Sequence, residues 1–261
     1  MTQQITPNRA SFPDLDGAAV FITGGGSGIG AALTRGFARQ GARVAFCDIA
    51  DSTELAEDIK SETGLLPLFV SCDITKTEDL QASIDQAVAS HGPLAALVNN
   101  AANDMRRAAD AVDEAFWDEM SAVNIKAQFF AAQRAAVSMK TRGGGSIINY
   151  SSISHVMGLP DLSTYIASKA GVTGMTRSLA REWGPDGIRV NAIAPGWVLT
   201  PKQKEVWATP EGIEKHRAMQ SLKELIMPED MVAPTLFLAS DASRMMTGQV
   251  MTVDAGVVAG A

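Results

Sequence analysis

Short apolar runs alternate with longer stretches of mixed polarity along most of the chain. Ala18 to Thr23 is apolar throughout, the pattern of a strand buried on both faces. Similar runs predict strands at Arg43 to Phe46, Leu65 to Cys72, Leu94 to Val98, Ser146 to Ser151, Ile188 to Ile193 and Val250 to Val253. Between them, helices are expected at Ala31 to Gln40, Ser52 to Thr63, Leu80 to Ser90, Asp113 to Lys140, Leu162 to Trp183 and Asp230 to Ala239. Regular strand–helix alternation implies the α/β class: one Rossmann-type domain with a doubly wound parallel sheet of about seven strands and helices on both faces. Residues 197–228 break the alternation. They are polar and bounded by prolines, and read either as a flap over a cleft or as a surface excursion.

The first predicted strand runs into Gly24-Gly25-Gly26-Ser27-Gly28-Ile29-Gly30 and then a helix. Strand, glycine loop and helix in that order give a glycine motif its meaning. Gly24 permits a tight turn, Gly28 lets the backbone approach a pyrophosphate, and Gly30 lets the helix pack on the strand. The helix N-terminus offers free N–H groups and partial positive charge to that anion. The second strand leads to Asp48, about 20 residues past the loop, where a carboxylate would bind ribose hydroxyls and repel a 2′-phosphate. NAD is therefore expected over NADP, with Arg35 and Arg43 as residues that could still reach a phosphate. Asp73 and Ile74 follow the third strand. Asp73 suits an adenine amino group or a helix cap equally well. Asn99 and Asn100 follow the fourth, where side-chain amides can tie strand ends together.

Tyr165 and Lys169 stand one helical turn apart on one face of a predicted helix. An ammonium beside a phenol favours the phenolate, so the Tyr pKa is expected to fall from about 10. Such a base can take a proton from an alcohol. Ser152 closes the preceding strand and can point at the same spot. Asn124 falls inside a predicted helix, where Asn is a poor residue and needs partners. The glycine loop, Asp48, Asp73, Asn99, Ser152 and Pro195 to Thr200 all fall at carboxyl ends of strands, where parallel sheets hold ligands.

Composition narrows the function classes. Hydrophobic residues make up 46% and charged residues 20%, which suits a globular protein with a full core. The net charge of -7 and the lack of basic runs argue against nucleic acid or anionic membranes as partners. No run reaches the ~20 apolar residues of a membrane span. The polar N-terminus, residues 1–14, reads as a short tail without a signal-peptide core, so a cytoplasmic protein is expected. Cys47 and Cys72 suggest neither a disulfide framework nor a metal site. Of three histidines, His91 and His216 read as structural, and His155 lies near the proposed site.

Thr23-Gly24-x-x-x-Gly28-x-Gly30, Asn99-Asn100-Ala101, Ser152 and Tyr165-x-x-x-Lys169 match, in order and spacing, the motifs of the short-chain dehydrogenase/reductase family. The chain resembles that family from about Leu15 to Gly256, departing from it at Ala102, where glycine is usual. The resemblance implies Tyr165 as acid/base and Lys169 as the residue that lowers its pKa and holds the nicotinamide ribose. It implies Ser152 as orienter of the substrate oxygen and Asn124 as holder of a relay water. Pro195, Val198 and Thr200 would lie at the nicotinamide. A homotetramer is also implied.

A narrower resemblance, to bacterial aldose 1-dehydrogenases, rests on Asn103-Asp104-x-Arg106, Arg142-Gly143-Gly144-Gly145, Trp207-x-Thr209-Pro210-Glu211-Gly212, Gln220-x-Leu222-Lys223 and Pro228-Glu229-Asp230. It implies a monosaccharide substrate, with Asn103, His155 and Trp197 as first candidates for contact and Asp104, Arg106, Gln220 and Lys223 beside them. Polyol oxidation and 3-oxoacyl thioester reduction are the alternatives. An acidic acyl carrier would want the basic residues Arg106, Arg107, Lys202 and Lys204 at the entrance.

Overall fold

The computed structural model describes residues 10–258. Most of the expected N-terminal tail lies outside them, as do residues 259–261. The described part of that tail is not loose. Pro13–Leu15 forms one turn, Leu15 is buried, and Phe12 N–H donates to Gln40 Oε1 at 2.8 Å.

The strands are β1 Ala19–Thr23, β2 Arg43–Asp48, β3 Leu68–Ser71, β4 Ala96–Asn99, β5 Gly145–Tyr150, β6 Ile188–Pro195 and β7 Val250–Val253. The helices are α1 Gly28–Arg39, α2 Thr53–Thr63, α3 Thr77–His91, α4 Glu114–Ser121, α5 Ala127–Thr141, the single turn α6 Ser154–Met157, α7 Ser163–Trp183, α8 Pro201–Val206, α9 Pro210–Met219 and α10 Val232–Ala239. All seven strands pair in parallel in one sheet, in the order β3-β2-β1-β4-β5-β6-β7. The chain winds outward from β1 to β3, then crosses to β4 on the other side of β1. That reversal opens a crevice beyond the strands' carboxyl ends.

β1 shows why both faces are covered. All five of its residues are buried. Val20 and Ile22 pack with Leu33 and Phe37 of α1 and Leu236 of α10. Ala19 and Phe21 pack with Leu80 and Ile84 of α3 and the alanines Ala131 and Ala135 of α5. Each large apolar side chain so buried contributes roughly 1.5–3 kcal/mol. Alternate residues of one strand therefore hold two helical layers in place.

Two boundaries differ from expectation for local reasons. Leu65 and Leu66 are exposed, and β3 begins only at Leu68. Gly64 ends α2 in the left-handed conformation (φ +78°), and Pro67 has no N–H to give a ladder. The expected helix from Asp113 to Lys140 is not a single α-helix. Asp113 caps α4 by accepting Phe116 N–H at 2.8 Å, and a π turn, Ala122–Lys126, separates α4 from α5. Such turns commonly occur at functional positions. Gly171 on α7 makes room for this one: a Cβ there would lie 2.5 Å from Ile125 Cδ1.

Candidate active site

The crevice is a cleft of about 1060 Å³. Its cofactor end is built on the loop after β1. Thr23 Oγ1 accepts Asn100 N–H at 3.1 Å and Ala101 N–H at 3.2 Å, tying the ends of β1 and β4. Asn100 Nδ2 donates to Thr23 O and to Gly24 O at 3.1 and 2.9 Å. A Cβ on Gly30 would fall 1.8 Å from Gly24 O, and one on Gly26 would fall 2.0 Å from Ser52 Oγ. The obstacle at Gly30 is backbone, so only glycine fits there. Gly24, Ser27, Gly28, Ile29 and Gly30 all line the cleft. The first-turn N–H groups of α1 have no intrahelical acceptor and carry the helix's positive end. This cradle fits a pyrophosphate.

At the end of β2, Asp48 lines the same cleft. Its Oδ2 accepts Gly26 N–H at 2.9 Å, which joins the acid to the glycine loop. Arg35 pairs with Glu62 at 3.0 Å, and Arg43 Nε donates to Gly17 O at 2.9 Å. Both arginines are thus committed away from any phosphate at Asp48. Asp73 and Ile74 border the cleft too. Asp73 Oδ1 accepts from Thr75 N–H and Thr75 Oγ1 at 3.0 and 2.7 Å, and these bonds lower its pKa. The helix-cap alternative for Asp73 fails, because the cap position of α3 is Lys76.

The chemical end lies where α7 crosses the end of β5. Ser152, Tyr165 and Lys169 meet there on the cleft wall, with Pro195, Val198 and Thr200 beside them. Lys169 is 1% exposed, and its Nζ donates to Tyr150 O at 2.8 Å. That nitrogen is 5.4 Å from the Tyr165 ring centroid. Ser151 Oγ donates to Lys169 O at 2.9 Å and pins α7 to the strand end.

The expected lowering of the Tyr165 pKa is not what this state gives. Burial and the nearby Asp104 carboxylate push it well above its ordinary value, and the hydrogen bond with Ser152 only partly offsets them. Burial also pulls Lys169 down to about 7, against the opposing pull of Asp104. A cation whose own charge is suppressed does little to ionise its neighbour.

The structure also redistributes the other expected residues. Asn103, Asp104, Arg106 and Trp197 line the cleft. His155 does not. Its Nδ1 donates to Ser152 O, and it borders a separate pocket of about 720 Å³ with Arg177 and Arg181. Gln220 and Lys223 also lie off the cleft. Lys223 Nζ donates to Arg217 O and Ala218 O at the end of α9.

Asn124 is fully buried and is absent from the cleft wall. Its Nδ2 donates to Met120 O and Asn103 O, each at 2.9 Å, and its Oδ1 accepts Asn103 N–H at 3.0 Å. In this state both donors are taken, and the side chain holds the Asn103 loop in place.

Within residues 197–228, expected as a flap or a surface excursion, the chain forms α8 and α9, and residues of both line the cleft. Thr200 caps α8 by accepting Gln203 N–H at 3.2 Å and lies against Gly28 of the glycine loop. Gln203 bridges the two sides, accepting Trp197 Nε1–H at 2.8 Å and donating to Asp104 Oδ2 at 2.5 Å. Gln203, Trp207, Lys215, His216 and Ser154 all line the cleft. Sequence reasoning gave no role to Gln203 or Ser154 and read His216 as structural. Only the folding of α8 and α9 brings the flap residues to the cleft.

Known proteins resemble this chain over nearly its whole length. A family model described as "Enoyl-(Acyl carrier protein) reductase" matches residues 24–258. The Rhizobium meliloti protein named "Probable galactose dehydrogenase GalD" is 49% identical, over 97% of this chain and 100% of its own length. A D-xylose 1-dehydrogenase of Caulobacter vibrioides is 48% identical, over 95% of this chain and 99% of its own length. The crystal structure of a short-chain type dehydrogenase/reductase from Mycobacterium marinum superposes with a TM-score of 0.88 at 29% identity, covering 95% of this chain and 98% of that one. A dinucleotide cradle, a Tyr–Lys pair at its far end and relatives of this kind lead to one conclusion: this chain is an oxidoreductase belonging to the short-chain dehydrogenase/reductase family.

Proposed function

We propose that this protein oxidises a monosaccharide at its anomeric carbon to an aldonolactone, using NAD. The observation that carries the reading is the meeting of Ser152, Tyr165 and Lys169 on one wall of the cleft that also holds the glycine cradle. Similarity to proteins named "Probable galactose dehydrogenase GalD" and "D-xylose 1-dehydrogenase" supports the sugar. The placement of Asp48 on the cleft, with Arg35 and Arg43 engaged elsewhere, supports NAD over NADP.

The glycine loop, the α1 N-terminus and Asp48 would hold the dinucleotide, with Asp73, Ile74 and Asn100 along its course and Pro195, Val198 and Thr200 at the nicotinamide end. When bound, the oxidised dinucleotide supplies the hydride acceptor and a positive charge. Ser152 donates to the anomeric oxygen and fixes it against Tyr165. Tyr165 takes the hydroxyl proton as the anomeric C–H bond breaks with loss of hydride and the lactone C=O forms. Lys169 stands beside the phenol, and only when it carries its proton does it favour the ionised form. Asn124 steadies the Asn103 loop; a relay water there would have to donate to its Oδ1, which accepts only Asn103 N–H. Asn103, Asp104, Arg106 and Trp197, which line the cleft, would meet the rest of the sugar.

The thioester alternative wants a basic entrance for an acidic carrier. Arg106 stacks on Trp207 at 4.5 Å, Arg107 on Phe116 at 3.9 Å, and Lys202 pairs with Asp104 at 3.6 Å. Lys202 is thus paired with a carboxylate, as is Arg107 with Asp113 at 3.5 Å, while among the described residues Arg106 has no carboxylate partner and Lys204 stands exposed; a substrate panel decides between the two readings.

Among the described residues no helix is long and apolar enough to cross a membrane. A cytoplasmic homotetramer is part of the proposal. The exposed Trp117, Phe129 and Val137 on α4 and α5 support a face for another copy, and the solution mass tests it. A panel of aldoses, polyols and acetoacetyl thioester, followed by absorbance of the reduced cofactor with NAD and NADP in turn, tests the activity. Turnover of aldoses with NAD is expected. Turnover of only polyols or only the thioester would overturn the sugar assignment.

A further inference from the structure

Polar atoms buried without a partner are rare in folded proteins, and each calls for an explanation. Among the described residues there are seven such side-chain atoms, and four fall within residues 207–220 of the flap. Two of these belong to residues that line the cleft: Trp207 Nε1 and His216 Nε2. The flap holds a third nitrogen heterocycle for comparison. Trp197 also lines the cleft, but its Nε1–H already donates to Gln203.

We propose that Trp207 and His216 determine substrate specificity, each pairing its unpartnered ring nitrogen with a hydroxyl of a polyhydroxylated substrate. This rests on the sugar reading above and names the residues that read the sugar. Each ring is braced by a neighbouring side chain. The Arg106 guanidinium covers the Trp207 face at 4.5 Å, and the His216 ring meets Trp197 edge-on at 5.4 Å. A hydroxyl both donates and accepts, so it satisfies an indole N–H and either tautomer of a neutral imidazole. An apolar substrate would leave both nitrogens unpaired, and a site built to bond a hydroxyl discriminates strongly against an analogue lacking it. Both atoms are closed to solvent with the flap as it stands, so a small shift of α8 and α9 on binding belongs to the proposal.

The test uses the full-length enzyme with NAD, comparing wild type, Trp207→Phe and His216→Phe on aldoses and their singly deoxygenated analogues. Each variant is expected to raise the KM of the preferred aldose about 10-fold or more, with kcat changed less than about 3-fold. In each variant the preference for the parent aldose over one deoxy analogue falls to near unity. A second measurement reads binding without turnover. The indole N–H resonance lost in Trp207→Phe is expected to shift when wild type with NAD is titrated with aldose, and not with NAD alone. An unmoved resonance at saturating aldose, or variants that keep wild-type KM and discrimination, would overturn the proposal. A shifted resonance with no turnover of any aldose would leave these contacts standing and remove the oxidation chemistry instead.

Discussion

The two ends of the cleft are built on opposite terms. At the cofactor end Thr23, Gly24, Gly26, Asp48 and Asn100 are joined by hydrogen bonds, and Gly24, Gly26 and Gly30 leave little space for a side chain. At the flap end, Trp207 and His216 keep unpaired nitrogens, and the cover is two short helices hung on Thr200 and Gln203. A rigid cradle suits a ligand that is the same in every turnover. A flap with unmet polar groups suits a ligand that must be chosen.

The contrast can be broken at several points. The largest effect is expected at the junction of the two ends: Tyr165→Phe should lower kcat about 10³-fold while NAD binding, read by calorimetry, stays near wild type. Retained turnover would remove Tyr165 as the base. Next comes pH. The folded pKa of Lys169, about 7, lies below that of a free lysine, so between them the unfolded chain binds the extra proton. Stability of the cofactor-free protein should therefore rise from pH 7.5 to 9.5, by roughly 3 kcal/mol from this group. It should be lost again as pH falls toward 7. Urea unfolding of wild type and Lys169→Met checks this, since the variant should lack that slope.

Gly30→Ala should weaken NAD binding about 100-fold or unfold the loop, because the atom in its way is a backbone oxygen. A wild-type dissociation constant would show that the cradle is looser than described. Asp48→Ala should narrow the NAD over NADP preference about 10-fold, measured as a ratio of kcat/KM values. The smallest effect belongs to the flap bridge. Gln203→Ala should raise sugar KM about 3–5-fold with kcat nearly unchanged, and an unaltered KM would mean that the bridge does not position the flap.

How much of this was legible in the sequence also divides along the cleft. The cradle was readable because its constraints are local: Gly24 to Gly30 and Asp48 need only a strand, a turn and a helix in order. Tyr165 and Lys169 were readable because helical spacing puts them on one face. The direction of the Tyr165 pKa was not, since it depends on burial and on Asp104, which arrives from another strand's loop. His155 looked close in sequence to Ser152, but one turn of α6 carries its ring to the other pocket. His216 looked ordinary because nothing nearby in sequence marks it; only α9, laid over the cleft, does.

The most direct test of the account follows the hydrogen itself. An aldose deuterated at its anomeric carbon is incubated with the enzyme and NAD, and the reduced cofactor is analysed by mass spectrometry. The account predicts one deuterium in the cofactor and an aldonolactone as the first product. Reduced cofactor without the label, formed as the sugar is consumed, would contradict it.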